Sequence, residues 1–394
     1  MSEFTHELAS RYGSEANSHR EWIHQHAELS FEEYETASYI RAKLRDYGIT
    51  ILPGFSGNST VACIEGEEEG PVIAIRADID ALPVCEDNDL PYKSEKEGVM
   101  HACGHDAHAA TLLGLCHILA DHRELVKGKV KFIFQQAEEK LPGGARTLCE
   151  EGAIDDCDAV FAYHAISNAP LGTGMLTTGG ATAAVGEYSA VITGKGGHGG
   201  MPHLSNNPIV CGTMIANAIN QLVGTSVDPM KTGVVTVGYM LSGTENGTNI
   251  IPDDLRMGGN IRSFDNKLQK ELYEKVEKTI KDICAVYGCD CEVKITKGYP
   301  SVENDAKAVS MMAEAFEEAG IKRIDSALMA GEDFSYYSLN KPSCIALLGF
   351  YDENSGTAPK PHHNPEFVID AVHGIPIALE VMLNCYLNAA EKWR

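Results

Sequence analysis

The chain of 394 residues is long enough for two domains and for a core that needs no disulfide staples. It is 44% apolar, with 56 acidic against 32 basic residues and a net charge of −24. A surface this acidic repels phosphate backbones and anionic lipid, so nucleic acid and membrane surfaces are excluded as partners.

The amino terminus Met1-Ser2-Glu3-Phe4-Thr5-His6 carries neither a basic start nor an apolar run, so no signal peptide is expected. No stretch approaches the roughly 18 apolar residues of a membrane span. The 12 cysteines are scattered, and reduced thiols in a cytoplasmic protein are the expectation. Cys289-Asp290-Cys291 lacks a matching second pair and is assigned to packing.

Residues 5–48 read as helices. Trp22, Ile23, His26 and Leu29, then Ala37, Ile40, Leu44 and Tyr47, recur at helical spacing, and Gly48 is a stop. Short β-type runs follow at 49–52, 60–64 and 72–75. The last leads into Arg76-Ala77-Asp78-Ile79-Asp80-Ala81-Leu82-Pro83. Carboxylates at the carboxyl end of a buried strand stand where open α/β sheets place their sites. Asp80 reads either as an acceptor for a ligating imidazole or as a turn residue ahead of Pro83.

The stretch His101-Ala102-Cys103-Gly104-His105-Asp106-Ala107-His108 packs three histidines, a cysteine and an aspartate into eight residues. In an extended segment Cys103 and His105 leave the same face. A thiolate and an imidazole together suit a borderline-soft divalent metal, and Gly104 lets the backbone turn closely around an ion. A histidine-rich surface loop is the plain alternative.

An apolar helix is expected at 109–120, then a strand at 129–135 that ends in Gln136-Ala137-Glu138-Glu139. Adjacent carboxylates repel inside a site unless cations neutralise them. A metal pair would let one ligate while the other holds an attacking water. Taken alone they read more simply as a solvated acidic pair ahead of Lys140. A helix at 143–152 precedes a strand at 159–163 with His164 at its end. Three successive strands thus end in Asp78/Asp80, Glu138/Glu139 and His164, which is what a strand-end metal site requires.

At 179–183 the small residues Gly179-Gly180-Ala181-Thr182-Ala183 read as a hinge. Strands at 185–193, 233–240, 255–262 and 292–296 alternate with helices at 206–223 and 267–287 in the split βαββαβ, ferredoxin-like order. Leu268, Leu272, Val276, Ile280, Ile283 and Tyr287 form one apolar helix stripe. The glycine run at 194–200 lacks the spacing of a phosphate loop. Residues 298–394 return to the first texture, with a helix at 305–319, a strand at 344–348 and a helix at 375–389. Pro361-His362-His363-Asn364-Pro365-Glu366-Phe367 lies between the last two.

These motifs, with Ala137-Glu138-Glu139, Gly196-Gly197-His198 and Asn249-Ile250-Ile251-Pro252-Asp253, fall in an order that resembles one family. It is the aminoacylase/carboxypeptidase superfamily of dinuclear metallohydrolases. The branch it is most similar to is that of N-acyl-amino-acid amidohydrolases, marked by a cysteine in the metal motif where relatives carry aspartate. The resemblance covers essentially the whole chain. It departs at Gln136, where proline is common, at Lys140-Leu141-Pro142, where glycines are common, and at Tyr163, where leucine usually precedes the histidine.

The resemblance implies an α/β fold of two domains. Residues 1–183 and 298–394 would form a catalytic domain with a mixed sheet flanked by helices. Residues 184–297 would form an inserted ferredoxin-like lid and dimerisation domain. It implies metal ligands Cys103, His105, Glu139, His164 and His363, the last because the family's ligand lies four residues before the aromatic, here Phe367. Glu138 would be the general base, and His198 and Asn249 would touch substrate, with His198 stabilising the oxyanion. Asn249 and Arg262 would hold the α-carboxylate, although an exposed strand arginine is equally ordinary.

Two divalent ions per subunit, Mn or Zn with Ni or Co also compatible, would serve hydrolysis of N-acyl amino acids by a cytoplasmic homodimer. Three alternatives stay open: a dipeptidase or carboxypeptidase of the same superfamily, an amidase with Cys103 as nucleophile, and a metal-binding fold without catalysis.

Overall fold

The computed structural model describes residues 2–354 and 358–393. The chain divides into two compact units: Met1–Ala181 with Val302–Ala327 and Asp333–Arg394, and Thr182–Ser301 with Leu328–Glu332.

The first unit is built on an eight-stranded mixed sheet. Its order is Thr50–Ile51, Thr60–Glu65, Lys127–Gln135, Glu68–Asp78, Ala159–Pro170, Ser343–Tyr351, Thr173–Met175 and Lys322–Ile324. The four strands from Lys127–Gln135 to Ser343–Tyr351 run parallel. Antiparallel strands flank them on both sides.

Parallel strands covered on both faces need apolar residues at nearly every position, and these have them. Ile73, Ile75, Phe132, Phe134, Phe161 and Tyr163 pack into one core with residues of the helices Ser2–Gln25, His105–Asp121, Ala306–Glu318 and Ala371–Lys392. Ala74, Ile133, Val160 and Ala162 point the other way, onto Leu148, Phe334 and Tyr337. Alternation along each strand therefore feeds two cores, and the carboxyl ends of the parallel strands open on one edge.

The helix expected at 109–120 begins four residues earlier, at His105. Gly104 sits just ahead of it with φ 89°, a left-handed conformation that glycine adopts without a Cβ clash. Cys103 and His105 therefore do not share the face of an extended segment. They flank a sharp entry into a helix whose first turns are wholly buried.

The second unit holds a five-stranded antiparallel sheet. Gly233–Val235 and Tyr239–Leu241 both pair with Asp254–Ser263, which pairs with Ala184–Thr193, which pairs with Asp290–Lys297. The helices Pro208–Ser226 and Asn266–Val286 pack their apolar stripes, including Ile215, Ile219, Leu272, Val276 and Ile280, against it. The connectivity is strand, helix, strand, strand, helix, strand, the split βαββαβ arrangement.

The single strand expected at 233–240 is broken in two. Thr236 approaches Gly259 so closely that a Cβ there would lie 1.7 Å from the Thr236 carbonyl oxygen, and regular pairing lapses between the halves. Residues Gly179–Thr182, read from their glycines as a hinge, are a short strand, and the division between units falls inside it. Among the described residues no helix is long and apolar enough to cross a membrane.

Candidate active site

The strand Glu68–Asp78 delivers two carboxylates to the edge where the parallel strands end. Asp78 is the last residue of the strand and is fully buried. Its Oδ2 accepts from Arg76 Nη1 at 2.7 Å and its Oδ1 from His108 Nδ1 at 2.6 Å. His108 Nε2 accepts the backbone N–H of Ala165 at 2.8 Å, so its proton sits on Nδ1. Two residues on, Asp80 takes His105 Nδ1 on its carbonyl at 3.0 Å and on Oδ1 at 3.2 Å. Asp80 Oδ2 accepts from Ser30 Oγ at 2.7 Å and from the Glu139 N–H at 3.0 Å. One carboxylate thus ties together three separate parts of the chain.

His164 lies within the strand Ala159–Pro170, opposite Leu347. Its Nδ1 donates to the Ala165 carbonyl at 2.8 Å, which turns Nε2 towards Cys103 Sγ, 3.6 Å away. His363 adopts φ 63° and its main-chain N–H bonds Ala102 O at 2.8 Å, anchoring it beside Cys103. Its Nε2 is 3.2 Å from Glu139 Oε1, and His105 Nε2 is 4.0 Å from the same oxygen.

Among the described residues five overlapping groups have donor atoms within 4.8 Å of one another; besides Asp78/His105/His108 and Glu138/Glu332/Asp333, three combine the expected ligands and Glu138: Cys103/His105/His164, Cys103/Glu139/His363 and His105/Glu138/Glu139. The residues of these last three groups all belong to the first unit.

Two polar atoms at the centre are buried without a hydrogen bond, His105 Nε2 and Glu139 Oε1. The second is within ion-pair range of His363 but makes no hydrogen bond to it. An unmade hydrogen bond on a buried group costs on the order of 1–3 kcal/mol.

The charges point the same way. Burial pushes His105 down, but Asp78, Asp80 and Glu139 outweigh it and raise the imidazole to about 10. Burial first, then Glu139 and Glu138, push the Cys103 thiol well above its usual range. Negative charge is in surplus around an imidazole and a thiol whose donor atoms face each other. A thiol, imidazoles and carboxylates at this spacing fit divalent cations, and a cation there would reverse the rise at Cys103.

Glu138 is nearly buried, and its Oε1 accepts the Asp333 N–H at 3.3 Å. Asp333 in turn bonds Arg76, Gln135 and the Ala145 N–H, so this contact is rigidly backed.

His198, Asn249 and Arg262 lie in the second unit. Gly197–His198 pairs with Ile250–Ile251, and the Gly199 N–H bonds Asn249 O at 2.7 Å. His198 and Asn249 are therefore neighbours on one exposed ladder. The Gly200 N–H donates to His198 Nδ1 at 3.0 Å, which leaves the neutral ring's proton on Nε2. Arg262 is on the strand Asp254–Ser263, and its Nη1 donates to the carbonyls of Gly186 and Ile261 at 3.2 Å each.

Sequence reading passed over His362 in favour of His363, yet His362 Nδ1 is 3.6 Å from Cys103 Sγ and its Nε2 accepts the Ser167 N–H. It also missed His108. The signal was present, since His105 and His108 are three apart and share a helix face, but it needed the helix to start at His105.

A model of peptidase family M20/M25/M40 matches residues 74–386. An N-acetyl-L-cysteine deacetylase of Bacillus subtilis is 37% identical over 352 residues, 89% of this chain and 82% of the relative. Thermostable carboxypeptidase 1 of Saccharolobus solfataricus is 35% identical over 354 residues, 89% of each chain. The crystal structure of a dinuclear metal-binding M20 peptidase from Bacillus subtilis superposes with a TM-score of 0.84 at 32% identity, covering 97% of this chain and 99% of that one.

Proposed function

The chain belongs to peptidase family M20/M25/M40 and is a metal-dependent amidohydrolase, and we propose that it hydrolyses N-acyl amino acids at a centre of Cys103, His105, Glu139, His164 and His363. One observation carries the assignment of the centre. Overlapping triads share Cys103 and His105, and two of their buried donor atoms lack any hydrogen bond. Two divalent ions are the proposed complement, Mn or Zn, with Ni or Co also suited to this mixed thiolate, imidazole and carboxylate set. When bound, such ions supply Lewis acidity, lowering the pKa of water and polarising the amide carbonyl.

The chain's own residues do the rest. Glu138 takes a proton from the attacking water and returns it to the leaving nitrogen, so that the C–N bond breaks to give a carboxylic acid and a free amine. Asp80 orients His105, and the Ala165 carbonyl orients His164. His198 offers its Nε2 proton to the oxyanion that develops on the carbonyl. Asn249 holds the α-carboxylate, with Arg262 contributing the guanidinium nitrogens that Gly186 and Ile261 do not engage.

The similarity to an N-acetyl-L-cysteine deacetylase supports an N-acyl amino acid as substrate. The similarity to a carboxypeptidase supports a second reading, cleavage of a carboxyl-terminal residue from a peptide. A Cys103 nucleophile is disfavoured, because reactive thiols have depressed pKa values and this one is pushed up.

The protein is proposed to work in the cytoplasm as a homodimer formed through the second unit. Its helix Pro208–Ser226 exposes Ile209, Val210 and Met214, and Tyr239 and Leu241 are exposed on the sheet. The experiment is chelation followed by metal restoration, with N-acetyl and N-benzoyl amino acids assayed beside dipeptides. Chelation should abolish turnover, Mn²⁺ or Zn²⁺ should restore it, and N-acyl amino acids should be the better substrates. Turnover that survives rigorous metal removal and dies with iodoacetamide would instead establish the thiol enzyme.

A further inference from the structure

The turn that carries Glu138 and Glu139 contains a conformational oddity. Ala137, fully buried, adopts φ 54°, in the left-handed region that residues with a Cβ avoid. Such a residue persists only where its surroundings hold it.

The hold comes from far away in sequence. The Ala137 N–H donates to Glu33 Oε1 at 2.8 Å, across 104 residues. Glu33 is fully buried and stands at the amino-terminal end of the helix Tyr34–Asp46, yet its side chain makes no capping bond to that helix. Its Oε1 also accepts the Phe31 N–H at 3.0 Å, and its Oε2 accepts Asn58 Nδ2 at 3.1 Å. Burial and the charge of Asp80 push Glu33 up to about 7, against these N–H donors, which favour the carboxylate.

Two further ties hold the same turn. The Asn58 N–H donates to Gln136 Oε1 at 2.6 Å, and the Glu139 N–H donates to Asp80 Oδ2, itself bonded by Ser30 Oγ. Residues 30–33 therefore grip the turn at Ala137 directly and at Glu139 through Asp80.

We infer that Glu33 is a positioning residue for hydrolysis, pinning Ala137 in its left-handed conformation so that Glu138 and Glu139 face their partners. This rests on the assignment of Glu138 and Glu139 made above. Without the Glu33 carboxylate the Ala137 N–H is buried and unpaired, and φ is free to relax to negative values. Relaxation would swing the next two side chains together, moving the proton acceptor and a proposed ligand at once.

The test uses the metal-loaded, full-length protein and four variants: E33A, E33Q, A137G and the double variant E33A/A137G. kcat, KM, metal content and thermal midpoint are measured for each, with an N-acetyl amino acid as substrate. E33A should lower kcat on the order of tenfold to a hundredfold, the scale of a misplacement near 1 Å, and leave KM within about threefold. E33Q keeps an amide oxygen that accepts the Ala137 N–H, and should stay within about fivefold of wild type. A137G should restore much of the loss in the E33A background, because glycine takes the left-handed turn unaided.

Rescue by A137G is the outcome a merely structural glutamate would not produce. A double variant no more active than E33A, or an E33A with wild-type kcat, overturns the inference. If E33A yields no folded protein, E33D, whose shorter arm draws the acceptor away, is compared with and without A137G under the same criteria. A wild type without metal-dependent turnover refutes the functional assignment instead, and is established first in the same preparation.

Discussion

Glu138 and Glu139 are adjacent, both converge with His105, and their division of labour can be tested by two single substitutions. Glu138→Gln is nearly isosteric, and its amide oxygen can keep accepting the Asp333 N–H that Glu138 Oε1 accepts at 3.3 Å. The buried side chain keeps its shape, while its charge and its capacity to accept a proton are lost. A positioned general base contributes roughly 10²–10⁴ in rate, so kcat should fall by that factor, or about 3–5 kcal/mol of barrier. Metal content should remain near wild type, since no proposed ligand is touched.

Glu139→Gln removes a negative charge 3.2 Å from His363 Nε2 and 4.0 Å from His105 Nε2. It should lower metal content and apparent metal affinity, with activity recovering in part as metal is added. His363, now raised by its contact with Glu139, should fall back towards an ordinary histidine. Elemental analysis after gel filtration and kcat at saturating metal read the two effects separately. Exchanged phenotypes, or a Glu138→Gln kcat within tenfold of wild type, would refute the assignment.

Three other outcomes are expected. His19 is buried between the hydroxyls of Tyr39 and Tyr47, at 2.7 and 2.9 Å, and burial lowers it to about 4. Above its unfolded value near 6.5 the ring is neutral in both states; as pH falls towards 4 the unfolded chain takes up a proton the folded one refuses, costing up to about 3 kcal/mol. Denaturant titrations should show wild type losing more stability than His19→Gln over that window, and parallel curves would count against it. Gly144→Ala would place a Cβ 2.0 Å from the Gln136 carbonyl oxygen, so the turn before Glu138 must shift; a loss of about 1–3 kcal/mol by thermal melting and a drop in kcat are expected. Finally, mixing His198→Ala with Glu138→Gln chains under proven subunit exchange should restore activity if His198 serves the partner subunit's site. No gain would mean that His198 acts within its own chain or not at all, and a monomer by light scattering would remove the basis for the test.

What was legible in the sequence was residue type at strand ends. Asp78, Asp80, Glu138 and Glu139 follow apolar runs, and parallel strands of one sheet bring their carboxyl ends to one edge; His164, expected at the end of a strand at 159–163, instead lies inside the strand Ala159–Pro170. The entry at Cys103-Gly104-His105 was half legible. Gly104 marked a turn, but whether a strand-like segment or a helix followed depended on burial of every position from His105 to Cys116, which amphipathic spacing does not encode. The three-residue strands Thr173–Met175 and Lys322–Ile324 left no trace, since runs that short carry no period and exist because neighbours pair with them.

Least legible was what aims the catalytic pair. Nothing at Ala137 announces a left-handed residue, and glycine would have been the ordinary signal. The group that holds it lies 104 residues away, in the break between the helices Ser2–Gln25 and Tyr34–Asp46, inside a span that reads as helical throughout. The same separation of roles recurs at Asp80, where a carboxylate equally readable as a turn residue joins Ser30, His105 and Glu139. Donor atoms here are specified by local sequence, whereas their directions are specified by hydrogen bonds between segments that only the fold brings together. Substitutions in the second class should accordingly change kcat and metal retention while leaving every proposed ligand in the chain.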